Sequence, residues 1–268
     1  MICVSRSRIP PLAPELGELI CAAARRIRSA RRTVALTGAG LSVESGIPPF
    51  QPGLSGEMGL WGKYDPMEYG TIEAFERDPA RVWTMLREVG FTLVAARPNA
   101  GHRALALLEA AGLLASTITQ NVDGLHQEAG TLRVIELHGN WRTMTCYACR
   151  ASLASQAVSL ERLPPRCACG GVLKPDVTLF GEIIPMRIID AAYEEARACD
   201  CMIVVGTSAS VQPAASIPLA ARDGGAFLIE VNVRAEPRGA GAADLCLAGP
   251  AGLILPEIVR QIGIGREN

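Results

Sequence analysis

Four cysteines fall in two close pairs, Cys146-x2-Cys149 and Cys167-x-Cys169, just downstream of Glu136-Leu-His-Gly-Asn140. Thiolates paired in this way, roughly twenty residues apart, suit a tetrahedral zinc knuckle, and with all four positions filled such a site is structural. His138 lies outside that ligand set and is left to do other chemistry. An imidazole titrates near neutrality and suits a general base. A single histidine is also often only a structural residue. Here it ends an apolar stretch, precedes Gly139 and lies near another polar run. His102 and His126 fall at a helix start and in a turn, with no equivalent glycine, and are weaker candidates.

That polar run is Thr119-Gln-Asn-Val-Asp-Gly-Leu-His126, which follows a short apolar segment. Asn121 or Asp123 could serve as an Asx-turn or helix cap. Gln120, Asn121 and Asp123 together carry more polarity than a cap needs. Gly38-Ala39-Gly40 follows another apolar segment and could turn backbone N–H groups toward a phosphate. The dehydrogenase fingerprint G-x-G-x-x-G fails, because Val43 occupies the third glycine position. Gly206-Thr207-Ser208 and Asn232 close two further apolar runs. Five polar or glycine-rich strand ends imply one large polar ligand across a sheet edge, and a dinucleotide has that extent.

The elements that must position these residues alternate. Glu15 to Ser29 places Leu16, Leu19, Ile20, Ala23 and Ile27 on one helical face. Strands are predicted at Thr33–Thr37, Ser116–Thr119, Val134–Leu137, Met202–Val205 and Phe227–Val231. Helices are predicted at His102–Ala111, Arg187–Cys199 and near Leu255–Ile262. The pattern predicts an α/β fold, a doubly wound parallel sheet. Residues 46–98, rich in Pro, Gly and aromatics, and residues 140–180, which hold the cysteines, break the rhythm. Both read as excursions that together build a smaller domain, with a binding cleft between the two.

The 268 residues carry a net charge of −1, which disfavours a dedicated nucleic-acid binder. Arg25, Arg26, Arg28, Arg31 and Arg32 read as the wet face and C-terminal end of a helix. Nine cysteines do not close a disulfide set, so Cys3, Cys21, Cys199, Cys201 and Cys246 read as small hydrophobes in a reducing compartment. No signal-like or membrane-length apolar run is found, so the expectation is a soluble, cytoplasmic chain.

The ordered set Gly38-Ala-Gly-Leu-Ser-Val-Glu-Ser-Gly-Ile-Pro48, Thr119–His126, Leu137-His-Gly-Asn140, the four cysteines, Phe180-Gly-Glu182, Gly206-Thr-Ser208 and Glu230-Val-Asn232 resembles the sirtuins, NAD-dependent protein deacylases. The resemblance runs from about residue 15 to residue 262. It implies a discontinuous Rossmann-like NAD domain (15–45, 99–139 and 181–262), a cofactor loop and helical module (46–98) and a zinc-binding module (140–180). It implies that Gly38, Ala39, Gly40 and the loop with Ser42 line the NAD site. Ile47, Phe50, Asn121 and Asp123 would surround nicotinamide, and Gln120 its ribose. Gly206, Thr207, Ser208 and Asn232 would hold the phosphates and adenosine end. His138 matches the general base, with Asn121 beside it in the catalytic set. Val177, Thr178, Leu179, Phe180, Gly181 and Glu182 would edge an acyl-lysine tunnel and add a substrate strand.

By the same resemblance, nicotinamide leaves, the acetyl-lysine oxygen captures the ribose carbon, and the imidazole deprotonates a ribose hydroxyl. The products are lysine, nicotinamide and O-acetyl-ADP-ribose, while zinc holds the small domain together. Acyl-lysine proteins or peptides are the implied partners. A mono-ADP-ribosyltransferase or NAD glycohydrolase on the same scaffold is the nearest competitor. A zinc-ribbon module that only binds a partner fits neither the neutral charge nor the polar strand ends. The chain departs from the family's Pro-Asp-Phe-Arg with Pro48-Pro49-Phe50-Gln51, which stiffens the loop and removes an acid and a base. Where succinyl-preferring members carry Tyr-x2-Arg, this chain has Leu86 and Val89, which favours neutral acyl groups.

Overall fold

The computed structural model describes residues 14–49, 59–208, 210–234 and 243–264. Helix α1 (Pro14–Ser29) leads into β1 (Thr33–Thr37), which is buried along its whole length. Short helices α2 (Leu60–Lys63), α3 (Pro66–Tyr69) and α4 (Ile72–Arg77) precede the long α5 (Pro79–Ala95) and then α6 (Ala100–Ala110). The chain continues through β2 (Ser116–Thr119), α7 (Leu125–Glu128), β3 (Val134–Glu136), β4 (Gly139–Cys146), β5 (Ser152–Ala154) and β6 (Leu173–Val177). It closes with α8 (Met186–Ala198), β7 (Cys201–Val205), α9 (Ile217–Asp223), β8 (Phe227–Asn232), β9 (Leu245–Ala248) and α10 (Ala251–Ile262).

Six strands form one parallel sheet in the order β3-β2-β1-β7-β8-β9. Strand side chains alternate between faces, and the core follows that period. Val34, Leu36, Met202 and Val204 pack with Ala192 and Ala196 of α8 and Ile217 and Ala221 of α9. Ala35, Cys201, Ile203 and Val205 face the other way, onto α1, α6 and α10. Both faces are therefore covered, as a parallel sheet requires. The strand order reverses between β1 and β7. Loops leaving two adjacent strand ends diverge there and open a crevice.

The second sheet is antiparallel, in the order β5-β4-β6. Its core joins Phe75 of α4 and Val82, Trp83 and Leu86 of α5 to Trp141, Met144, Leu173 and Val177. Trp83 Nε1–H donates to Leu173 O at 2.9 Å, tying α5 to β6. The sequence pattern predicts no strands in this region and none at β9, and it begins α10 one turn later than the structure, which carries Pro256 inside the helix. Burial of Ala251 and Ile254 extends that apolar face across the extra turn.

Arg25, Arg28 and Arg31 are exposed, as the charge pattern predicts. Arg26 and Arg32 instead turn inward, to Asp200 O just before β7 at 2.5 Å and to Glu195 of α8 at 2.6 Å. Cys199 and Cys201 are buried, Cys21 and Cys246 are half-buried, and Cys3 lies outside the described residues. Among the described residues, no helix is long and apolar enough to cross a membrane.

Candidate active site

The switch point is built backbone against backbone. Gly38 N–H donates to Val205 O at 3.0 Å and Gly40 N–H to Gly206 O at 2.8 Å. A Cβ on Gly40 would lie 2.7 Å from Gly206 Cα, and one on Gly38 would lie 2.7 Å from Thr207 Cβ. Glycine is required at both positions for close approach. From β2, Gln120 Nε2 donates to Thr207 Oγ1 at 2.9 Å, and from β8, Asn232 Nδ2 donates to Thr207 O at 3.2 Å. Three strand ends thus converge on Thr207. Ser208 is exposed, with its Oγ 2.8 Å from Ser210 Oγ.

A second cluster lies on the β1–β2 side. Buried Asn121 donates through Nδ2 to Gly38 O and Ser42 Oγ, each at 3.1 Å. Ser42 Oγ–H donates to Asp123 Oδ2 at 2.7 Å, and Leu125 N–H donates to Asp123 Oδ1 at 2.9 Å. Burial raises the Asp123 pKa, and these two hydrogen bonds oppose that rise. A partly open cavity is lined by Ala39, Ser42, Ile47, Pro48, Asn121 and Asp123, together with Leu60, Glu88, Val89, Thr92 and Leu93. Phe50 and Gln51 lie outside the described residues.

His138 stands beside this cavity rather than in its wall. Its Nδ1 lies 3.0 Å from Gln120 O. A carbonyl only accepts, so Nδ1 carries the proton and Nε2 keeps a free lone pair. Burial lowers the His138 pKa, and the bond to Gln120 partly counters this. The ring is neutral at pH 7 and able to accept a proton at Nε2.

His102 and His126 carry more structure than their sequence setting suggests. Both are buried, with ring centroids 5.1 Å apart. Asn99 N–H donates to His102 Nδ1 at 3.4 Å, completing a capping box at α6. His102 Nε2 therefore bears the proton and faces Ser42 Oγ at 3.5 Å. His126 Nε2 lies 2.8 Å from Thr37 Oγ1, which in turn donates to Thr119 Oγ1 at 2.9 Å. Only the Asn99-x2-His102 capping pattern could have announced this layer from sequence.

The four cysteine sulfurs lie within 4.8 Å of one another. Cys146 Sγ is 3.5 Å from Cys169 Sγ, and Cys149 Sγ is 3.8 Å from Cys167 Sγ. A tetrahedron with zinc–sulfur bonds of about 2.3 Å has edges of about 3.8 Å, so the donors fit that ion. Backbone N–H groups of Cys149 and Gly171 point at Cys146 and Cys169 sulfurs, at 3.5 and 3.4 Å. The cage is thus built to hold negative sulfur. A Cβ on Gly171 would lie 2.7 Å from Cys146 Sγ.

The segment after β6 is anchored to the protein at several points. Thr178 N–H donates to His138 O at 2.8 Å, Leu179 N–H to Glu182 Oε2 at 2.7 Å, and Phe180 N–H to Gly70 O at 2.9 Å. Phe180 O accepts from Ile72 N–H at 2.9 Å. The N–H groups of Thr178, Leu179 and Phe180 are thus engaged within the protein, while each carbonyl keeps a second lone pair. The Glu182 carboxylate accepts from Leu179 N–H and meets Lys174 Nζ.

A model of the Sir2 family matches residues 38–213. An NAD-dependent protein deacylase of Aeropyrum pernix is 45% identical over 92% of this chain and 99% of its own length. An NAD-dependent protein deacetylase of Haloarcula marismortui is 43% identical over 92% of this chain and 95% of its own. The solved structure of a Sir2 homolog–NAD complex is 41% identical, with a TM-score of 0.82, over 90% of this chain and 93% of that one. A Sir2 structure with a deacetylated p53 peptide and 3′-O-acetyl ADP ribose is 33% identical, with a TM-score of 0.84, over 91% and 98%. The family model spans most of the chain and relatives 45% and 41% identical cover about nine-tenths of it, so the chain belongs to the Sir2 family.

Proposed function

We propose that this chain is an NAD-dependent protein-lysine deacetylase that moves the acetyl group of a lysine to ADP-ribose. One observation carries the assignment. His138 is neutral, with its proton fixed on Nδ1 by Gln120 O, so Nε2 is presented as a base one residue from the buried Asn121. NAD, when bound, supplies a ribose carbon that becomes electrophilic as nicotinamide departs. Gly38, Gly40, Gly206 and Thr207 would cradle the dinucleotide, with Gln120 and Asn232 holding its sugars. Asn121, Asp123, Ser42 and Ile47 would receive the nicotinamide amide in the cavity. His138 Nε2 would take the proton of a ribose hydroxyl, steering the outcome toward amide removal. Phe180 would wall the acyl-lysine. Zinc would sit in the four-cysteine cage and take no part in the reaction. Among the described residues no cysteines pair as disulfides, which suits a cytoplasmic setting.

The acyl group is neutral in this reading. Leu86 is buried and Val89 lines the cavity, and neither side chain can pair with a carboxylate. Glu88, also in the wall, is engaged by Lys63 Nζ at 2.5 Å and Tyr64 Oη at 2.7 Å. An acidic acyl group would enter unpaired, which is costly in an apolar site.

The test is NAD-dependent turnover of acetyl- and succinyl-lysine peptides, with products identified by mass spectrometry, beside His138→Ala. Expected are O-acetyl-ADP-ribose from wild type, slower desuccinylation, and a loss of about 10²-fold or more in the variant. ADP-ribosylated protein or free ADP-ribose as the main product would establish a transferase or glycohydrolase instead.

A further inference from the structure

The turn that displays Phe180 is shaped from behind by a shielded ion pair. Lys174 on β6 is only 9% exposed, although lysine is rarely buried unless paired. Its Nζ donates to Val177 O at 2.7 Å and Pro175 O at 3.4 Å, and meets Glu182 Oε2 at 2.9 Å. These three contacts match the three donors of an ammonium group. The same Glu182 oxygen accepts from Leu179 N–H at 2.7 Å.

Those contacts close a defined turn. Glu182 N–H donates to Leu179 O at 3.1 Å, and the third residue, Gly181, has φ +85°. A type II turn requires positive φ at that position. A Cβ on Gly181 would also sit 3.0 Å from Glu73 Oε1. Phe180, second in the turn, is 43% exposed, with its ring 6.0 Å from that of Trp61. The segment's start is bonded to His138 through Thr178 N–H. One ammonium thus touches the strand end at Val177 and, through Glu182, both ends of the turn.

We propose that Lys174 and Glu182 are positioning residues for the acyl-lysine peptide. The pair holds the turn from Leu179 to Glu182 in the shape that docks the peptide and walls its acyl chain with Phe180. Neither side chain touches substrate; both act through the backbone they fix. The proposal rests on the deacetylase assignment.

The experiment uses the full chain with Lys174→Met, Glu182→Gln, Lys174→Arg and the Lys174→Met/Glu182→Gln double variant. It measures steady-state kinetics in acetyl-peptide and in NAD, anisotropy binding of a labelled acetyl-lysine peptide, zinc content and Tm. Expected is a rise of about tenfold in peptide KM for each neutral variant, with NAD KM unchanged and zinc retained. Lys174→Arg restores peptide KM, and the double variant is no worse than Lys174→Met, because the pair acts as a unit. A lower Tm with both KM values unchanged would make the pair merely structural and overturn the proposal, as would an unchanged peptide KM in Glu182→Gln. Wild type that binds the peptide without turning it over defeats the deacetylase assignment alone, and binding is then compared across the variants. Wild type that binds no acetyl-lysine peptide defeats both.

Discussion

His138 and His102 are the same side chain held in opposite tautomers by the backbone each one meets. A carbonyl at His138 Nδ1 fixes the proton there, and an amide N–H at His102 Nδ1 moves it to Nε2. The first leaves a basic nitrogen at the crevice; the second makes a donor that faces Ser42. His126 completes the layer, and burial holds its pKa at about 4 and that of His102 at about 3. Both folded values lie below the unfolded value of about 6.5. Above that pH neither state binds a proton, so these residues contribute no slope. Below it, the unfolded chain takes up two protons that the fold refuses, and stability falls until the folded values are reached. The expected loss is roughly 3 kcal/mol between pH 7.5 and pH 5.5. Urea midpoints at the two pH values measure it, with histidine NMR titrations to assign it. Equal midpoints, or histidine signals that titrate near pH 6.5 in the folded protein, would mean that this layer is wet.

At the scale of the element, the paired turns after β1 and β7 decide where the dinucleotide can lie. Gly40 meets Gly206 through backbone atoms that cannot move aside as a flexible side chain would. Gly40→Ala is therefore expected to part the two turns and destabilise the fold by about 1–3 kcal/mol. NAD KM should rise in that variant, while zinc content stays unchanged, as read by titration and metal analysis. An unchanged NAD KM would place the cofactor elsewhere. These turns were legible in the sequence because β1 and β7 are short, fully buried runs ended by glycine. The polar residues that follow β2 and end β8 were legible because each closes a short apolar run. The small sheet was not. β6 reads Leu173-Lys-Pro-Asp-Val177, and three of its five residues argue against a strand until Lys174 finds Glu182 and two carbonyls. The Phe180-Gly-Glu182 motif is visible in the sequence, whereas the pairing of Glu182 with Lys174 is not, because it depends on the strand.

Across the whole molecule, the zinc cage and the crevice are joined by one continuous strand. β4 begins at Gly139, next to His138, and ends at Cys146 in the cage. Its partner β6 leads from Leu173, near the cage, to Val177 at the crevice. Gly139 can pair with Val177 only because its φ is +71° and no Cβ is present, since one would lie 1.9 Å from Asp176 O. Trp83, Trp141, Met144 and Leu173 pack between the two ends, and Tyr147 Oη–H bonds to Glu76 across the module. The six-stranded sheet has its own two cores, which share no residue with this one. Removing zinc leaves four sulfurs in van der Waals range with no cation between them, and the cage is expected to open. Deacetylase activity should then fall with metal content, although zinc touches no reacting atom. Hydrogen exchange should rise first in β4 and β6, while β1, β2, β7 and β8 stay protected. Restoring zinc should recover both signals. A chelated protein with full turnover, or one that loses both sheets in a single transition, would show that the module does not transmit the metal's hold to His138.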